Sequence, residues 1–137
     1  MKAQRIGLAP LALLLLTTSQ HVQAEGDGNW LLDNCQAAIV IFDKFTTPGS
    51  PPDPVTAAKM TTCVYYIKGV TDSAILWTGG KEPYCITNVP NSQLVRVVAK
   101  GLSDNPESLH EPAVTLVTKI LAKSFPWKEA LCGARRK

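Results

Sequence analysis

Apolar residues recur at helical spacing in four stretches of this chain, separated by breaks rich in proline and glycine. In the first, residues 29–45, Leu31, Cys35, Ala38, Ile39 and Phe42 form one stripe, with Asp27 or Asn29 placed to cap the start. Thr46-Thr47-Pro48-Gly49-Ser50-Pro51-Pro52 ends it, because three prolines and a glycine suit neither helix nor strand. Asp53-Pro54 opens the second helix: aspartate is a good N-cap, and proline at the first helical position forfeits no hydrogen bond. This helix extends to about Leu76, with Met60, Cys63, Val64, Ile67, Val70 and Ala74 as its buried stripe. Gly69 is read as part of that stripe, kept for a close helix crossing that offsets its cost of about 1 kcal/mol against alanine.

A loop from Thr78 to Cys85 follows, and its Gly79-Gly80 reads as a helix C-cap and turn. The third helix begins after Val89-Pro90, capped by Asn91 or Ser92. It buries Leu94, Val95, Val98 and Leu102 and ends near Asp104, where Asn105-Pro106 breaks it. The fourth begins between Leu109 and Pro112, buries Ala113, Leu116, Val117, Ile120 and Leu121, and stops at Phe125-Pro126. No stretch alternates with the period of two that a strand requires.

The first apolar run is of another kind. Lys2 and Arg5 precede an uninterrupted segment, residues 6–16, shorter than the roughly 20 residues of a membrane span. Val22-Gln23-Ala24 then puts small residues at the −3 and −1 positions, so residues 1–24 read as a signal peptide cleaved after Ala24. The alternative is an uncleaved N-terminal anchor. Residues 25–137 are then one exported domain, periplasmic and free of the membrane once the signal is removed, with a flexible tail over 130–137. Without Lys2 and Arg5 the fourteen basic residues fall to twelve, against eleven acidic ones. Three of the twelve are Arg135, Arg136 and Lys137, so the body carries no basic footprint for nucleic acid.

In an exported chain, Cys35, Cys63, Cys85 and Cys132 read as two disulfides, with three possible pairings. In an antiparallel pair of helices, residues equidistant from the connecting loop face each other. Cys35 lies ten residues before Phe45 and Cys63 nine after Pro54, which favours Cys35–Cys63. Cys85 just precedes the third helix and Cys132 just follows the fourth, so the same reasoning brings them together. Each closure contributes about 3.5–4 kcal/mol on the chain-entropy model. The fold class that follows is all-α: a small four- to five-helix bundle of two antiparallel helical hairpins, stapled by two disulfides.

Candidate chemistry is sparse. There is no C-x-x-C pair, and His110 is the only histidine left after signal removal, so neither redox nor zinc chemistry is expected. Asp104, Glu107 and Glu111 form an acidic cluster best read as helix capping and solvated charge. No serine lies in a G-x-S-x-G setting, and Gly79-Gly80 lacks the spacing of a phosphate loop. The expectation is a protein with no catalytic residues, no metal and no cofactor. Tyr65 and Tyr66 are adjacent on the second helix, so one of them faces away from the core.

Read together, the motifs resemble a known family. Cys63-Val64-Tyr65-Tyr66-Ile67-Lys68-Gly69-Val70-Thr71-Asp72-Ser73-Ala74 is similar to the C-x-x-Y-I-x-G-x-x-D-A helix of the Rap/Tai immunity proteins, which act against type VI secretion amidase effectors. The likeness continues through Tyr84-Cys85-Ile86, Leu94 to Leu102, Asn105-Pro106-Glu107-Ser108-Leu109-His110-Glu111-Pro112-Ala113, Leu116-Val117 and Ser124-Phe125-Pro126. Upstream, Trp30-Leu31-Leu32-Asp33-Asn34-Cys35 looks like the family's L-L-x-x-C. Two departures stand out: Trp127 follows Pro126 where the family often has cysteine, and the stretch from Thr46 to Pro54 is long.

The resemblance implies a helical periplasmic homodimer that binds a peptidoglycan amidase and blocks its active-site cleft without chemistry of its own. The loop that opens at Trp77 and runs to Tyr84 is the first candidate for the contact, with Gly79 and Gly80 allowing close approach and Lys81, Glu82 and Tyr84 giving specificity. The turn from Asp104 to His110 is the second. The competing reading is an orphan binding or chaperone-like module on the same scaffold. Charged residues at 18% of the chain give it little of the acid-triggered character of stress chaperones.

Overall fold

The computed structural model describes residues 26–44, 51–128 and Cys132. The signal segment 1–24, Phe45, most of the proline-rich loop and all of the tail 130–137 except Cys132 lie outside these residues. Four helices follow in order: α1, Gly28–Lys44; α2, Pro54–Trp77; α3, Asn91–Ser103; and α4, Ala113–Ser124. A 3₁₀ turn, Pro106–Ser108, joins α3 to α4. No strand occurs among the described residues; two isolated bridges pair Asp27 with Pro112 and Tyr84 with Pro126.

The helix starts follow the local chemistry, with one correction. Asp27 caps α1, its Oδ1 accepting the Trp30 N–H at 2.8 Å. Asp53 caps α2, accepting the Thr56 N–H at 3.0 Å and the Thr56 hydroxyl at 2.6 Å. α3 has no side-chain cap, contrary to the expectation for Asn91 or Ser92. Pro90 takes the N-cap position instead, and its carbonyl accepts from the Gln93 and Leu94 N–H groups at 3.0 and 3.1 Å.

α1 is the hub. It packs most extensively on α2 and next on α3, while α3 and α4 form the second, looser hairpin. The Cys35–Cys63 disulfide joins α1 to α2 with the Cα atoms 5.1 Å apart. Beside it, Lys59 and Asp33 pair at 2.8 Å, and Arg96 of α3 reaches Asp43 of α1 at 2.5 Å. The core contains the predicted Leu31, Cys35, Ala38, Cys63, Ile67, Val70, Leu94, Val95, Val98, Leu102, Ala113, Leu116, Val117 and Leu121. Ile41 and Ala99 join them, whereas Ile39, Phe42, Met60, Val64, Ala74 and Ile120 are only partly buried against that core. Among the described residues, the buried polar side chains Asn34 and Thr71 bond locally: Asn34 Nδ2 donates to the Trp30 carbonyl at 2.7 Å and the Thr71 hydroxyl to the Lys68 carbonyl at 2.8 Å.

Gly69 does not mark a helix crossing. It is exposed, and a Cβ added there would meet nothing within 4 Å. The reason is helical phase: Gly69 lies two residues, about 200°, from buried Ile67. The close approaches occur at Gly28, packed on Leu109 and Leu116, and at Gly101, packed on Ile120.

Candidate functional site: the overhanging end of α2

The register that pairs Cys35 with Cys63 determines how far α2 projects. α1 has seven residues before Cys35, so its first residue lies level with Val70 of the antiparallel α2. Val70 and Thr71 are the last buried residues of α2. The remaining turns to Trp77 run about 10 Å past the end of α1, at 1.5 Å per residue. Trp77 is 89% exposed and Leu76 79% exposed.

The chain then turns sharply. The Thr78 N–H donates to the Ala74 carbonyl at 3.1 Å and the Gly80 N–H to the Ile75 carbonyl at 2.9 Å. Gly79 and Gly80 have φ of 66° and 82°, a region glycine enters without the clash that Cβ causes. The Thr78 hydroxyl bonds back to the Ala74 carbonyl at 2.9 Å and also meets the Lys81 carbonyl, tying both sides of the turn. Lys81 is exposed; Glu82 is partly buried and accepts the Thr87 hydroxyl at 2.9 Å.

Tyr84 departs from its expected role as a surface specificity residue. It is 3% exposed, part of the core cluster, and bridged to Pro126. Next to it the Cys85 N–H donates to the Phe125 carbonyl at 2.9 Å, and Cys85 is bonded to Cys132. Tyr84 is therefore the anchor from which the loop emerges. Of the sequence candidates, the structure gathers Trp77, Gly79, Gly80 and Lys81 on the exposed turn, holds Glu82 at its base and buries Tyr84. Leu76 was missed, although its spacing was informative: nine residues after Ile67, it points to the opposite side of the helix. Tyr65, 68% exposed, is the outward member of the tyrosine pair; Tyr66 packs edge-on against Trp30 at 5.3 Å, and burial raises its pKa.

The second candidate loop is more tightly tied. Asp104 pairs with Lys100 at 2.9 Å and Glu111 with Lys119 at 2.7 Å, so two of the three acidic residues stand in surface ion pairs. The same turn carries the start of α1: the Gly28 N–H donates to Glu111 and the Asn29 N–H to Leu109, both at 3.1 Å. Glu107 and His110 are exposed. Among the described residues, no group of three His, Cys, Asp or Glu side chains could hold a metal ion. No described helix is long and apolar enough to cross a membrane.

These features define a small disulfide-stapled helical protein with two exposed apolar residues, Leu76 and Trp77, at the projecting end of α2. A family model for the Rap1a immunity proteins matches residues 27–126. The chain belongs to that family, and the likeness to the Rap/Tai proteins in its motifs is thereby supported. No curated protein and no solved structure matches it.

Proposed function

We propose that this is a periplasmic immunity protein, exported through a cleaved signal over residues 1–24. In this reading it protects its cell by binding a type VI secretion peptidoglycan amidase and covering that enzyme's cleft. The family match over residues 27–126 carries the reading. Two disulfides and the two apolar residues at the end of α2 support it: a rigid scaffold lowers the ordering cost of binding, and aromatic anchors dominate interface energies. Leu76, Trp77, Gly79, Gly80 and Lys81 are the proposed contact set. The protein acts as a homodimer and contributes no catalytic group.

The test is a pull-down by the mature, oxidised protein from periplasmic and secreted extracts, followed by an activity assay on the captured protein. Recovery of an enzyme that cleaves cell-wall stem peptides, inactive in the complex and active when released, is expected. Captured proteins without that activity, or an amidase still active in the complex, would overturn the reading.

A further inference from the structure

The two disulfides differ in what surrounds them. Cys35 and Cys63 are 0% exposed and join the middle of α1 to the middle of α2. Attack on that bond requires the α1–α2 interface to open. Cys85 and Cys132 are both partly exposed and lie outside the four helices, on the segments before α3 and after α4. Their segments are also joined without the sulfurs, through the Tyr84–Pro126 bridge and the Cys85 N–H to Phe125 bond at 2.9 Å. The buried Tyr84 ring holds the same strand of chain in the core. The second disulfide thus joins none of the four helices directly, whereas the first joins α1 to α2.

We propose that Cys85–Cys132 is a thiol-exchange site, open to dithiol reductants in the native protein, while Cys35–Cys63 is closed to them. In the exchange, a thiolate of the dithiol attacks one sulfur of the pair and the S–S bond breaks. The other sulfur leaves as a thiolate and takes up a proton. The second thiol of the reductant then attacks the mixed disulfide, releasing the first cysteine. Two electrons pass to the pair, and the dithiol becomes a disulfide. The product carries two thiols at the base of the Thr78–Tyr84 turn and a C-terminal segment no longer covalently tied there. This inference is independent of which effector the protein binds.

The full mature protein, incubated with dithiothreitol in native buffer, quenched with N-ethylmaleimide and mapped by mass spectrometry, tests it. Cys85 and Cys132 are expected to label about a hundredfold faster than Cys35 and Cys63, whose exposure needs sub-global opening. The helical circular dichroism should be unchanged when only the first pair is labelled. Labelling of all four cysteines at one rate, or of Cys35 and Cys63 first, would overturn the proposal. A Cys85→Ser/Cys132→Ser variant supplies the second check: a cooperative melt with native helicity supports it, and a chain without helical signal refutes it.

Discussion

Replacing Gly28 with alanine tests how the start of α1 is built. An added Cβ would stand 2.5 Å from Leu116 Cδ1 and 2.9 Å from both the Cα and the carbonyl oxygen of Leu109. The leucine methyl can rotate away, but the Leu109 backbone is pinned. Its carbonyl accepts from the Asn29 N–H at 3.1 Å and from Asn29 Nδ2 at 3.2 Å, and the Gly28 N–H holds Glu111 at 3.1 Å. The Ala113 N–H adds a bond to the Gly26 carbonyl at 2.6 Å. Overpacking of this kind costs about 1–3 kcal/mol. Each hydrogen bond lost as the turn backs away costs about 1 kcal/mol more. Alanine returns less than about 1 kcal/mol in helix propensity at a first-turn position. The net expectation is a loss of about 2–3 kcal/mol, or about 10 °C or more in Tm for a domain of this size. Gly69→Ala is the matched control, since the same Cβ meets open space in a helix interior and should raise Tm by a few degrees, about 0.5–1 kcal/mol. Calorimetry on both variants decides the matter. A Gly28→Ala protein melting within about 2 °C of the parent, or two variants shifting in the same direction, would refute the reasoning.

Trp77→Ala should leave Tm within about 1 °C, because the ring is 89% exposed, yet weaken a captured amidase complex about thirtyfold; a thermal melt of the free variant checks the first half and titration calorimetry of the complex the second. Tyr84→Ala should do the reverse to the scaffold, costing about 3 kcal/mol in urea unfolding because it empties a core position. The Asp53 cap predicts a pH effect: its hydrogen bonds to Thr56 lower its pKa from 3.8, so the stability it contributes is fully present above that value and is lost as pH falls through the folded pKa. The Tm advantage of the parent over Asp53→Ala should therefore be full at pH 7 and shrink below pH 3.8; an advantage that grows on acidification would contradict the cap.

The helices, their breaks and the disulfide pairing were legible because each rests on local chemistry or on counting. Asp53-Pro54 starts a helix wherever it stands before an apolar stripe, and equidistance from the loop selects Cys35–Cys63. Besides the cap of α3, where Pro90 stands in place of Asn91 or Ser92, two residues were misread, for different reasons. Gly69 was placed in the stripe and given a close helix crossing, although its phase from Ile67 turns it outward. Tyr84 was given to the surface because it lies in a polar loop, and only the pairing of that loop with Phe125 and Pro126 folds it inward. That contact spans about forty residues, and no periodicity within either segment reports it. Leu76 lay between these cases: its phase was readable, but the overhang that exposes it depends on the length of a different helix.

That overhang ties the scaffold to the proposed contact. α2 continues fourteen residues beyond Cys63, while α1 offers seven before Cys35, so half of the later part of α2 has no α1 beside it. A slip in the pairing of the two helices would change which residues project, and the buried disulfide forbids that slip. The glycine pair then stops the helix just after Trp77, so the exposed apolar residues sit at a tip rather than along a flank. A flank would invite broad, weak association; a tip on a fixed stem can enter a concave site with little further ordering. In an immunity protein of the kind proposed, affinity comes from such pre-set geometry. The bond that fixes the register is also the one closed to reductants, so the projecting end keeps its position whatever the state of Cys85–Cys132.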